Sequence, residues 1–153
     1  MLRISRLTDY GTVVLGHLAS DNGATVSAAE LATATGIGLP TVSKLLKMLG
    51  KSGIVRSTRG PHGGYALARE AGAISAADII DALDGPVSIT ECSAAGSNCD
   101  FEASCNVGSA WQRINIAIRR ALDDISLADL LRTKSPVPRF DFAGVPINVE
   151  HKR

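Results

Sequence analysis

Residues 27–67, SAAELATATGIGLPTVSKLLKMLGKSGIVRSTRGPHGGYAL, decide the fold. Ser27-Ala28-Ala29-Glu30 has the pattern of a capping box, in which side chains at N-cap and N3 satisfy free amides. The short helix it opens, Ala28 to Thr35, stops at Gly36, a natural left-handed C-terminal residue. The next helix carries Pro40 in its first turn, where the missing N–H costs nothing. Its apolar positions Val42, Leu45, Leu46 and Leu49 fall at helical spacing, and Gly53 ends it. Two short alternating strands follow, Ile54 to Thr58 and Gly64 to Leu67. Arg59-Gly60-Pro61-His62-Gly63 joins them, with too much Gly and Pro to be anything but a turn. Upstream, residues 5–20 read as a helix with Leu7, Val14, Leu15 and Leu18 on one face, ended by Asp21-Asn22-Gly23. Three helices and then a β-hairpin is the order of a winged helix-turn-helix.

Downstream, Ser75-Ala76-Ala77-Asp78 caps a helix that reaches Leu83 and ends at Gly85-Pro86. A loop rich in Gly, Ser and Ala follows, holding Cys92, Cys99 and Cys105, all the cysteines of the chain. A longer helix is expected from near Asn106 to about Asp124. Val107, Trp111, Ile114, Ile118, Ala121 and Ile125 recur on it at alternating four- and three-residue steps, a seam of the coiled-coil type. Ser126 starts a last short helix, Leu127 to Leu131. From Lys134 onward Pro136, Pro138 and Pro146 interrupt a weakly structured tail. The expected class is mostly α with a small β-hairpin. Its parts are a winged helix-turn-helix region (1–70), a connecting helix and linker (71–91), a cysteine loop (92–105), a long helix with a short capping helix (106–132) and a tail (133–153).

The chain of 153 residues fits one domain or a small domain with an extension. It is 45% apolar and 4% aromatic, so its core must be aliphatic. No apolar run approaches the roughly 20 residues that span a bilayer. The N-terminus lacks the apolar region of a signal peptide. A cytoplasmic location is therefore expected, where thiols stay reduced. The net charge of +1 conceals an asymmetry: residues 1–69 carry eight Lys/Arg against three acids, and residues 70–132 carry four against ten. A basic first half points to a polyanion such as double-stranded DNA.

The second helix of the helix-turn-helix is the candidate reading helix. Thr41, Ser43 and Lys44 stand near its start and Lys47 one turn on, residue types that reach base edges or phosphates. Arg59, on a projecting turn, suits a narrow minor groove. Gly63-Gly64 lets backbone approach a phosphate closely. His62, Arg3 and Ser5 complete the candidate DNA contacts. Three cysteines cannot all pair in one chain. Their thiolates suit a metal or an iron–sulfur cluster with a fourth ligand from elsewhere. Structural zinc is an alternative, although paired C-x₂-C knuckles are missing. Direct thiol oxidation is another. No C-x-x-C redox motif, Gly-rich nucleotide loop or Ser/His/Asp set points to an enzyme.

Arg59-Gly60-Pro61-His62-Gly63-Gly64-Tyr65, then three cysteines, then a helix containing Trp111, resembles the winged-helix regulators typified by IscR, NsrR and RirA. The likeness spans about residues 1–132. The opening Met1 to Tyr10 is most similar to the branch that regulates the SUF iron–sulfur assembly system. The resemblance implies a homodimer that binds a pseudo-palindromic operator. It also implies a cluster on Cys92, Cys99 and Cys105, and a dimerisation role for the long helix. IscR-type members place a His three residues after the last Cys. That position is Gly108 here, and no His lies between His62 and His151, so a Cys₃His site is not expected. NsrR-type members borrow an Asp from the first helix of the partner subunit to complete a [4Fe–4S] site, and Asp9 stands at the matching position. Asp9 also reads as a first-turn acid favoured by the helix dipole. Asp100 or Glu102 is a third possibility. The resemblance thus implies an iron–sulfur cluster, [4Fe–4S] over [2Fe–2S].

Overall fold

A computed structural model describes residues 4–21, 23–60, 63–90 and 107–132, and the backbone of 141–142 and 145–146. Helix α1 spans Arg6–Ser20, α2 Ala28–Thr35 and α3 Leu39–Lys51. Strands β1 (Val55–Thr58) and β2 (Gly64–Leu67) then form the wing. They pair antiparallel from Val55 opposite Leu67 to Thr58 opposite Gly64. A 3₁₀ turn at Ala71–Ala73 leads to α4 (Ala76–Leu83). Helices α5 (Gly108–Asp123) and α6 (Leu127–Leu130) follow. The class is the expected one, mostly helical with a two-stranded hairpin.

Local chemistry sets most boundaries. The Ser27, Ser75 and Ser126 boxes all form, closed by Glu30, Asp78 and Asp129 at N3. Gly36 ends α2 with a φ of 70°. Pro40 sits in the first turn of α3, as expected. Ile54 is left out of β1 because its amide donates to Leu49 O and its side chain seals the end of α3. In the segment expected to be a weakly structured tail, Asp141–Phe142 pairs antiparallel with Val145–Pro146 as β3 and β4. The rest of 133–153 lies outside the described residues.

The core is aliphatic. Val14, Leu15 and Leu18 of α1, Leu31 of α2 and Val42, Leu45, Leu46 and Leu49 of α3 meet Ile54, Ile74, Ile79, Leu83 and Leu127. Two backbone bridges that sequence patterning did not reveal tie the units together. Val26 exchanges both hydrogen bonds with Tyr65, at 2.9 and 2.8 Å, and so docks the wing on the segment before α2. Gly64 permits this approach, since a Cβ there would stand 2.7 Å from Val26 O. Ser75 bridges Ser126, which sets α6 beside the start of α4. Helices α1 and α4 also come close: a Cβ at Gly11 would stand 2.3 Å from Leu83 Cδ1.

Leu45 is wholly buried in this core. Leu45→Ala is expected to lower unfolding free energy by about 2–5 kcal/mol, measured from the urea midpoint at unchanged slope.

Candidate functional site

Helix α3 has two stripes. Val42, Leu45, Leu46 and Leu49 are buried. At 3.6 residues per turn, Pro40, Lys44, Lys47 and Lys51 lie opposite them, and all four are exposed. Ser43 is exposed beside this row, and Thr41 is half-buried at its edge. The helix contains no acid. Among the described residues Lys44, Lys47, Lys51 and Arg59 form no ion pair, so their charge is available to a polyanion.

The groove between α3 and the wing extends this face. It is lined by Ser43, Lys47, Lys51, Arg56, Ser57 and Tyr65, among others. Arg56 is anchored, its Nε donating to Leu67 O across the hairpin at 3.2 Å. Lys51 and Arg56 were not among the sequence candidates. Lys51 follows Lys47 by one turn and could have been found by the same periodicity. Arg56 reaches the groove only because the hairpin folds beside α3.

The turn between the strands places Arg59 in the open beside Gly60, whose φ is 121°. Gly63 donates to Gly60 O at 2.9 Å, and a Cβ on Gly63 would stand 2.3 Å from Thr58 O. A glycine is therefore required where the chain turns back on itself. Arg3 and His62 lie outside the described residues. Ser5 is engaged within the fold, since its hydroxyl accepts from the Thr8 amide at 3.1 Å and donates to Asp84 Oδ1 at 2.6 Å.

Asp84 gathers three donors from the start of α1. The Thr8 hydroxyl reaches Oδ2 at 2.7 Å, and the Ser5 amide reaches it at 3.4 Å. Partial loss of water pushes the Asp84 carboxyl up. The bonds from Ser5 and Thr8 outweigh it and leave the group below its ordinary value. Asp9, one residue beyond the buried Thr8, is exposed.

Helix α5 buries none of its residues. Val107, Trp111 and Ile114 are 57%, 41% and 44% exposed, and Ile125 beyond its end is 42% exposed. Arg119 holds α5 to Asp81 of α4 at 2.6 Å. A pair this solvated contributes about 1 kcal/mol or less. Of the apolar seam predicted from spacing, Val107, Trp111, Ile114, Ala121 and Ile125 are exposed, while Ile118 is half-buried and lines a cavity with Leu122, Ile4 and Ile80. Cys92, Cys99, Cys105, Asp100 and Glu102 lie outside the described residues. Among the described residues no cluster of His, Cys, Asp and Glu could hold a metal. No described helix is long and apolar enough to cross a membrane.

The family model for Rrf2, an iron-dependent transcriptional regulator, matches residues 4–133. The protein rrf2 of Nitratidesulfovibrio vulgaris is 32% identical over 139 residues, 90% of this chain and 93% of that one. The structure of CymR, the global cysteine regulator of B. subtilis, superposes with a TM-score of 0.66 at 31% identity. That match covers 88% of this chain and all of the other. T. potens IscR gives a TM-score of 0.61 at 33% identity, over 86% and 87% of the two chains.

The sign of the Asp84 shift fixes a pH dependence. A carboxyl depressed by folding stabilises the protein above its unfolded value and loses that contribution as pH falls through about 4 and below. The unfolding free-energy gap between wild type and Asp84→Asn should therefore be widest near neutrality and narrow in acid. Urea titrations at stepped pH measure it, and a gap that does not change with pH would contradict the assignment.

Proposed function

Because the chain belongs to the Rrf2 family of transcriptional regulators, we propose that it is a homodimeric, cytoplasmic DNA-binding regulator that carries an iron–sulfur cluster. Its targets on this reading are genes of iron–sulfur cluster assembly. The observation that carries the reading is one of placement. The three cysteines fall between α4 and an α5 whose Val107, Trp111 and Ile114 are exposed, in a chain whose α3 and wing present exposed cations.

Each part has a physical ground. In major-groove recognition a helix offers short polar and cationic side chains to base edges and phosphates. Thr41, Ser43, Lys44 and Lys47 are assigned that role, with Lys51 and Arg56 adding phosphate contacts. Arg59 is assigned to the minor groove. Helix α5 has 16 residues, little more than the length below which isolated helices are marginal in water. Its inner side meets the body through Ile118, Leu122 and Arg119, and a second copy packed on Val107, Trp111 and Ile114 would cover the outer one.

Cys92, Cys99 and Cys105 would hold the cluster, with Asp9 of the partner subunit as fourth ligand. The donor chemistry fits: thiolates suit iron–sulfur clusters, and the Asp9 carboxylate is exposed and free to be offered across a dimer. Such a cluster supplies sensitivity to oxidants, nitric oxide and iron supply. A carboxylate is a harder, more weakly held ligand than a fourth thiolate, which biases loss toward that iron. In a second reading the same thiols respond to oxidation directly or hold zinc.

Anaerobic purification decides between them. The cluster reading expects a brown protein with visible absorbance and bound iron, and a colourless Cys99→Ala variant. A colourless wild type containing zinc alone would sink it. For DNA, Arg59→Ala is expected to weaken operator affinity by about 1–3 kcal/mol in gel-shift titrations at fixed salt. Unchanged affinity would reject the minor-groove role.

A further inference from the structure

Asp84 sits where its own helix does not favour it. It is the C-cap of α4, and a carboxylate at a helix C-terminus faces the negative end of the dipole. Its three hydrogen bonds are instead made to the N-terminal turn of α1, the positive end of another helix. That turn has its own side-chain cap in the Ser5 hydroxyl, which accepts from the Thr8 amide, and Asp84 completes it by accepting from the Ser5 amide and from the hydroxyl of buried Thr8. The carboxylate thereby fastens the end of α4 to the start of α1.

Its place in the chain gives that tie a further consequence. Asp84 lies eight residues before Cys92, and Thr8 lies one residue before Asp9. After Asp84 the chain turns at Gly85, with φ 91°. It is caught again where the Ile89 amide donates to Asn115 Oδ1 of α5 at 3.3 Å. The segment entering the cysteine loop is therefore tied at one end to α1 and near the other to α5.

We propose that Asp84 is a positioning residue for the sensor: it locks the first turn of α1, and with it Asp9, to the segment that enters the cysteine loop. This rests on the reading of Asp9 as the ligand given to the partner's cluster. On that basis one carboxylate links the ligand a subunit gives with the loop by which it holds its own cluster. Losing a cluster in one subunit then disturbs the ligand offered to the other. Asp84 itself touches no iron. It acts through Ser5 and Thr8.

The test uses the full-length, anaerobically loaded dimer. Two quantities are measured: the visible circular dichroism of the cluster and the rate of iron release to an excess of chelator. Urea unfolding of the cluster-free protein serves as the folding control. Asp84→Ala and Thr8→Val should each speed iron release about fivefold or more and shift the spectrum toward that of Asp9→Ala. Adding Asp84→Ala to Asp9→Ala should produce no further acceleration. Wild-type release and spectrum in Asp84→Ala would overturn the proposal, as would full additivity with Asp9→Ala. If Asp9→Ala itself behaves as wild type, the ligand reading fails first, and the positioning role falls with it. Should Asp84→Ala fail to fold, Thr8→Val keeps the side-chain shape and removes one donor. Wild-type release and spectrum in that variant would then overturn the proposal in the same way.

Discussion

A helix of 3.6 residues per turn can bury only one stripe against a single layer, and α3 shows what that constraint does here. Its Val42, Leu45, Leu46 and Leu49 stripe is sealed against α1, Ile54 and α4. Burial of that stripe forces Lys44, Lys47 and Lys51 into solvent on the far side. The same packing that stabilises the domain thus creates its cationic face. The wing adds to it because Val26 pairs with Tyr65, and that close approach is possible only with Gly64 in place.

The second half of the chain inverts this logic. Helix α5 carries an apolar stripe of regular spacing too, yet Val107, Trp111, Ile114 and Ile125 on it stay exposed. Besides Ile118 and Leu122, which face Ile4 and Ile80, its attachment to the body runs through Arg119 and Asp81 and through Asn115 to Ile89. Polar ties of this kind set direction more than they supply stability. The body itself is closed by aliphatic contacts and by the Ser75–Ser126 bridge. A winged-helix core and a helix with an exposed apolar stripe are therefore joined at α4. That helix also ends in Asp84, where α1 begins.

Much of this was legible in residue order. The caps read at Ser27 and Ser75 are local: four residues decide each, and both formed. Gly36 and Pro40 mark boundaries through their own backbone limits. The α5 seam was visible as spacing, although spacing alone does not say whether a stripe is buried or exposed. Ser5 shows the opposite case. Read alone it is a small hydroxyl near a basic terminus, a candidate for phosphate. Folded, its hydroxyl is engaged by Thr8 and Asp84. Arg56 likewise gained its place in the groove from a hairpin that brings Leu67 O within reach.

The sequence by itself determined the elements, their order and the cationic character of the first half, because each follows from periodicity, local capping and net charge within a few residues. It also determined that three cysteines fall in one short stretch of sequence between α4 and α5. Only the tertiary structure decided which stripe faces outward, which cations share a groove and what Asp84 does. Those depend on contacts between residues far apart in the chain, 76 positions apart for Thr8 and Asp84. No local pattern carries such contacts, since they arise only when the aliphatic core brings α1 and α4 together.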